Sequence, residues 1–522
     1  MESSKKKQRV QSPCCEEGAT SSGSSDVVTT ASEVSCTEFP SLVFSIFVET
    51  ADVKLLKTCR LVCKSWNMAA CNVLRDRSCV KLLENNNKRS EDLKNLLVNR
   101  AFGPAALPSP FQNLNVSVTF FSDECFKTLV HMPNVVITTL TVLLMRNMDQ
   151  RQLEYFLVAK GRQVKTLVMN VAEANDGFTL DAALMANEQI HLPALKRLKF
   201  SDVCPRNCRH FELIKKLIRR SALEEIDLVI RDSSVLTQML TTEDLKTVRT
   251  FKLNFPMLST EDSTLASLRM PLLTELTVQV RDVNEGIFQQ FGTLFDSRIS
   301  EFALAKFPAL ESINIRRLVA TWRFLENDFI PHTRVTKIII YVLGTELEQK
   351  EFAEESLHIF LASLSRQFPN TEKLSLGINA FNSRTFRDIN YAFPRLKALG
   401  IGSPCDFGSM TGMKIDDVHY YMEAGWPIEN IPRRNSIFDF VALESVDLVG
   451  SLMTVTNDMI IYCLAKIPTL KSVAFCWNKN LSIQEVRDCL GHLEKISIFS
   501  SNVKEFSQAL SPLESMPNVH LC

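Results

Sequence analysis

Residues 192–200 read LPALKRLKF, and the same frame returns as MPLLTELTV (270–278), FPALESINI (307–315), FPRLKALGI (393–401) and IPTLKSVAF (467–475). Weaker copies stand at FPNTEKLSL (368–376) and MPNVHLC (516–522). The unit is apolar-Pro-x-apolar-x-x-apolar-x-apolar; without its proline the core recurs as VKTLVM, LEEIDL, VRTFKL, VTKIII, LESVDL and LEKISI. Alternate residues of a strand point to opposite faces, so each copy predicts a short strand burying about three apolar side chains while its neighbours stay in water. Proline has no N–H and disfavours helix in the residue before it, so it is expected to end a preceding helix where the strand starts.

Spacing turns these copies into an architecture. The first apolar position falls at Val164, Leu195, Leu223, Val248, Leu273, Leu310, Val335, Thr371, Leu396, Leu443, Leu470, Leu493 and Val519, mostly about 23 to 31 residues apart, near the period of leucine-rich repeats. Earlier copies are read at 111–118 and 137–142. Between strands the period becomes helical, as at Phe211, Ile214, Leu217 and Ile218, or Met459, Cys463, Leu464 and Ile467. Strand-turn-helix units of this length return in register by stacking side by side. The expected fold is α/β: an irregular leucine-rich-repeat solenoid over 111–522, a curved parallel sheet with outer helices. The rival, a doubly wound α/β domain, calls for fewer, longer buried strands.

The outward strand positions include Arg197, Lys199, Glu225, Asp227, Glu275, Lys337, Lys373, Asp447 and Lys495. Such a mixed surface suits a protein partner; a phosphate backbone calls for an unbroken basic stripe. The long gap near 403–440 is read as an insertion. It holds Tyr420, Tyr421, Trp426, Arg433 and Arg434, residue types enriched at binding hot spots. These are expected to bind substrate, or else to be the core of a degenerate repeat.

Composition sets outer limits. The chain has 522 residues, 45% of them hydrophobic, with 59 Lys and Arg against 59 Asp and Glu, so nothing marks it as a nucleic-acid binder. The longest apolar run, about Val135 to Met145, is roughly half of the ~20 residues that cross a bilayer. Residues 1–35 are rich in Ser, Thr, Lys and Glu without an apolar signal segment, and predict a disordered tail. Fifteen cysteines, scattered and odd in number, are read as reduced thiols. A cytoplasmic or nuclear location is expected, and the run Lys5, Lys6, Lys7, Arg9 suits nuclear import.

A second unit is expected over 36–80, followed by a linker or cap over 81–110. There FPSLVFSIF and later LKTCRLVCKSW are apolar at helical spacing. Three short helices in about 40 residues make a marginal core, so a partner is expected to complete it. The pattern FP-x-L-x-x-x-I-F followed by L-x-x-C-R-L-V-C-K-S-W resembles the F-box. The resemblance implies docking on the Skp adaptor of a cullin–RING ubiquitin ligase, with contacts or their supports at Pro40, Leu42, Ile46, Leu61, Val62, Cys63 and Trp66.

No metalloprotease, hydrolase or nucleotide-binding motif is present, and no cofactor is expected. GIGSPC, starting at Gly400, is better read as a strand end than as a dinucleotide loop. Cys204, Cys208 and His210 lack a fourth ligand, and Cys59 and Cys63, expected one turn apart on a helix, have no further partners, so no metal is implied. With the resemblance, the expected role is the substrate-recognition subunit of a Skp–cullin–F-box ubiquitin ligase. This is a non-catalytic adaptor that joins the Skp adaptor and cullin–RING ligase to a protein substrate. The alternative is a non-proteolytic scaffold or transcriptional cofactor.

Overall fold

The computed structural model describes residues 56–58, 61, 64–77, 79–82, 112–117, 130–131, 135–144, 150–171, 190–203, 209–230, 240–255, 269–280, 307–318, 331–342, 357–378, 381–403, 405–449, 454–500, 511–513 and 516–521. The chain divides into two units, Met1–Leu74 and Arg75–Cys522.

In the first unit, residues 56–58 are helical and Leu61 stands in a turn, its N–H donating to the Thr58 carbonyl at 2.9 Å. Cys59 and Cys63, expected one turn apart on a helix, lie outside the described residues. Helix α1 (Lys64–Arg77) follows, with Arg75 and Arg77 in its last turn, where cations suit the negative end of the helix dipole. Ala69, Ala70, Val73 and Leu74 recur at three- and four-residue spacing and bury against Leu56, with Trp66 packed beside them. Leu61 and Met68 are 86% and 67% exposed.

The second unit is built on one parallel sheet of sixteen strands among the described residues. They are β1 (Cys79–Leu82), β2 (Asn113–Ser117), β3 (Thr139–Leu144), β4 (Thr166–Val171), β5 (Arg197–Val203), β6 (Glu225–Ile230), β7 (Thr250–Phe255), β8 (Glu275–Val280), β9 (Ser312–Leu318), β10 (Lys337–Val342), β11 (Lys373–Gly377), β12 (Ala398–Ile401), β13 (Ser445–Asp447), β14 (Ser472–Cys476), β15 (Lys495–Phe499) and β16 (Val519–Leu521). Spatial order equals chain order throughout. A doubly wound sheet reverses its order at a switch point, and none is present here. The architecture is therefore a leucine-rich-repeat-like solenoid, one strand per repeat. It starts earlier than the pattern predicts: Cys79–Leu82, in the segment read as the end of the helical module and the start of a linker, pairs with Asn113–Val116. With only four residues, CVKL is too short to show the repeat frame.

The frame does what its alternation requires. Leu195, Leu198 and Phe200 are buried, and so are Leu223, Ile226 and Leu228, and Val248, Phe251 and Leu253, all in one continuous core. Thr371 takes a leucine's place in that core, and its Oγ1 donates to the Phe368 carbonyl at 2.8 Å, so the buried hydroxyl is satisfied. As expected, helical residues end just before some of the prolines, at Gln367 ahead of Pro369, Ala392 ahead of Pro394 and Lys466 ahead of Pro468, and the prolines have a second role as well. In five copies the first apolar residue donates its N–H to the residue before the proline: Leu195 to Leu192, Leu273 to Met270, Leu310 to Phe307, Leu396 to Phe393 and Leu470 to Ile467, at 3.0–3.2 Å. Proline is thus the second residue of a β-turn, where its fixed φ is already correct.

Helices α2 (Gln150–Lys160) and α3 (Arg209–Arg220) bury Leu153, Phe156 and Leu157, and Ile214, Leu217 and Ile218. After a single helical turn at Thr242–Leu245 come α4 (Leu357–Gln367), α5 (Ser383–Ala392), α6 (Phe407–Thr411), α7 (Ile415–Glu423), α8 (Asn457–Tyr462) and α9 (Ile483–Leu490). The single helix expected through Met459 and Ile467 is broken: α8 ends before Cys463, and Leu464–Lys466 continues as a 3₁₀ turn. All four apolar positions stay buried across the break.

Candidate functional site

The open face of the sheet is a grid set by register. In its first row Arg197, Glu225, Thr250, Glu275, Ser312, Lys337 and Lys373 are successive partners on β5 to β11. Opposite charges pair across strands: Lys199 with Asp227 at 2.8 Å, Lys252 with Glu225 at 2.8 Å and Arg197 with Glu225 at 3.5 Å. Exposed pairs of this kind contribute at most about 1 kcal/mol each, so their main effect is to cancel charge over β5–β7. Further along, Tyr341 lies where β11 and β12 have no side chain. A Cβ on Gly377 would overlap its ring, and one on Gly402 would stand 2.6 Å from its Cε1. A Cβ on Gly400 would overlap Ser375 Oγ, so the glycines of this strand end make room for their neighbours.

The insertion is a small folded element with a core of its own. Met413, Val418, Ile428 and Ile431 are buried together, with Phe407, Tyr421, Phe438 and Tyr462 packed against them. No strand lies between 405 and 444, so it is not a degenerate repeat. Phe386 of α5 meets Phe440 edge-on at 6.3 Å and Phe381 at 5.6 Å, packing the base of the insertion into the repeat core. Asp406 caps α6 by accepting from the Ser409 N–H at 2.7 Å.

The five residues read as substrate-binding separate into two groups. Tyr420, Tyr421 and Trp426 form an aromatic cluster with centroids 5.4 and 5.1 Å apart, Tyr421 in the middle. Tyr420 and Trp426 are 69% and 45% exposed. Arg433 and Arg434 line an open cavity of about 560 Å³ with Asn382, Asp406, Lys414 and Asp417, a wall that includes none of the three aromatics. Arg433 is engaged within the fold: it donates to Ser436 Oγ at 2.8 Å, pairs with Asp439 at 3.4 Å and covers the Phe438 ring at 5.0 Å. Asp416 and Glu423, exposed on the same face of α7 as Tyr420, carry no sequence pattern that marked them in advance.

Of the residues implied as adaptor contacts or their supports, Leu61 is exposed and Trp66 packs against the small core around Leu56. Pro40, Leu42, Ile46, Val62 and Cys63 lie outside the described residues, as do Cys204 and Cys208. Among the described residues no three His, Cys, Asp or Glu side chains are grouped to hold a metal, and no helix is long and apolar enough to cross a membrane.

Buried thiols are chemically quiet. Burial pushes Cys463 up to about 12 and raises Cys405 further, with Cys463 and Asp406 nearby adding to the rise. At pH 8 roughly one Cys463 in ten thousand is then a thiolate, the reactive form. Alkylation of the native protein at pH 8, followed by peptide mass spectrometry, should therefore modify exposed Cys79 well before Cys405 or Cys463. Equal rates at Cys79 and Cys463 would contradict the packing described.

No protein-family model matches the sequence, and no curated protein matches it. Among solved structures the chain is similar to one in the yeast Rad7 and Elc1 complex, with 15% identity, 63% of this chain and 80% of that chain covered, and a TM-score of 0.33. It is also similar to an internalin of Listeria monocytogenes, with 12% identity, 80% and 98% covered, and a TM-score of 0.31. At these scores the likenesses carry no argument, and the architecture rests on the strand order itself.

Proposed function

We propose that this chain is the substrate-recognition subunit of a Skp–cullin–F-box-type ubiquitin ligase: the N-terminal helical unit docks on the Skp adaptor and the repeats hold a protein substrate. The observation that carries this reading is the exposed Leu61, within the R-L-V-C-K-S-W segment that resembles the F-box, together with exposed Met68 on α1. The unit's described buried core is Leu56, two alanines, a valine and a leucine, too little to stand as a well-filled core alone. Covering a Leu or Met side chain contributes about 1.5–3 kcal/mol, which a docking partner would supply. The chain's part in transfer is positional. It raises the local concentration of substrate lysines near the charged conjugating enzyme and supplies no reacting group.

The test is co-purification of the full chain with the Skp adaptor, comparing wild type with Leu61→Asp combined with Met68→Asp. Both positions are exposed, so the variant should keep its circular dichroism and melting profile while losing adaptor binding tenfold or more. Leu272→Asp, at a half-exposed leucine of the repeats, should bind like wild type. Undiminished binding by the folded double variant would refute the docking surface.

A further inference from the structure

The outer edge of the insertion carries exposed aromatic and acidic side chains that the fold itself does not use. Asp416, Tyr420 and Glu423 are spaced four and three apart on α7, so they share one face, and all three are exposed. Val418, on the other side of the helix, is fully buried in the insertion core. Trp426 follows the helix end and sits beside Tyr421. The edge is held firmly. Gly425, at φ +80°, ends the helix, its N–H reaches the Met422 carbonyl at 3.0 Å, and the Trp426 N–H donates to the Tyr421 carbonyl at 2.9 Å. Tyr421, half-buried against the core, braces both outer rings.

We propose that this edge docks a basic segment of a protein partner, an arginine or lysine side chain lying against Tyr420 and Trp426 and paired with Asp416 or Glu423. Charge decides the occupant. Asp416, Glu423 and Glu429 are exposed and make no ion pair among the described residues, and the carbonyl end of α7 adds negative potential beside Tyr420. Aromatic faces attract cations, more strongly Arg than Lys. The insertion's arginines stand at the cavity wall with Asp406 and Asp417, so they do not neutralise the edge. An acidic partner would meet repulsion here, and a purely apolar one would leave the carboxylates without counter-charges. The inference sharpens the reading of the repeats as a protein-binding platform and needs no adaptor.

The experiment is fluorescence anisotropy of the full chain with a twelve-residue alternating Arg-Gly peptide, its citrulline counterpart of equal shape without charge, and an alternating Glu-Gly peptide. The arginine peptide should bind saturably at low salt, at least tenfold tighter than the citrulline peptide, and weaken as salt rises. Tyr420→Ala and Trp426→Ala should each weaken it about tenfold, and Asp416→Asn with Glu423→Gln several-fold. Tyr391→Ala, at a comparably exposed tyrosine of α5, should have no effect. Absence of saturable arginine-peptide binding, equal binding of the citrulline peptide, or equal loss in Tyr391→Ala would overturn the proposal. So would sedimentation showing self-association that Tyr420→Ala abolishes, since a second copy would then be the occupant. Loss of adaptor binding leaves these readouts unmoved, so the two proposals fail separately.

Discussion

Replacing Phe386 with alanine should destabilise the middle of the solenoid by about 3–5 kcal/mol, the cost of deleting a fully buried phenyl ring. The ring touches Phe381 in its own repeat and Phe440 at the base of the insertion, so its loss opens a cavity shared by two elements. In a solenoid each repeat contacts only its neighbours, and stability is close to a sum of local terms. The damage should therefore be local. Hydrogen exchange followed by mass spectrometry should show lost protection over β11, β12, α5 and the insertion, while β4 to β7 keep theirs. Uniform loss from β4 to β15 would mean a single cooperative core, contrary to the strand order. Unchanged exchange would mean Phe386 is not packed as described.

The second large effect is expected at Gly412, which ends α6 at φ +73°. Its carbonyl accepts from the Arg434 N–H at 3.0 Å, and a Cβ there would overlap the Arg434 carbonyl oxygen. Gly412→Ala therefore adds a left-handed conformation costing about 1–2 kcal/mol to an overlap with backbone costing about 1–3 kcal/mol. Gly425 supplies the control. Its φ is +80°, yet nothing stands within 4 Å of a Cβ, so Gly425→Ala should cost only the conformational part. Proteolysis within 405–440 should rise steeply in Gly412→Ala and slightly in Gly425→Ala. Equal susceptibility would mean that the close approach of Arg434 to Gly412 does not exist in solution.

How much of this was legible depends on whether the determining contacts are near in sequence or a repeat away. The buried positions were legible because alternation and a 23–31-residue period are local signals: Val164, Leu195, Leu223, Val248, Leu273 and Leu310 are each fully buried. The turn geometry behind the prolines was not legible, because a proline before a strand suits a helix end and a β-turn alike, and at Pro394 and Pro468 both are present. The charge pairs of the open face were not legible. Lys252 finds Glu225 twenty-seven residues away, and only register brings them together. Tyr341 resting over Gly377 and Gly402 depends on three strands at once. In the insertion, composition marked three aromatics that the fold brings together, but it grouped them with Arg433, which the fold ties to Ser436 and Asp439 instead.

The reading of the repeats as a protein-binding platform depends on strands laid down one at a time in chain order. Arg197 and Lys337 occupy the same row on β5 and β10, five strand spacings apart, which places them about 24 Å from each other along the sheet at ~4.8 Å per spacing. Lys337 and Lys495, on β10 and β15, span the same number of steps. Pulsed electron spin resonance between labels attached to non-cysteine handles at these pairs should return two similar distances, close to that separation plus the reach of the labels. A distance between 197 and 337 near that of adjacent strands, or one unrelated to the 337–495 value, would contradict the sequential parallel order.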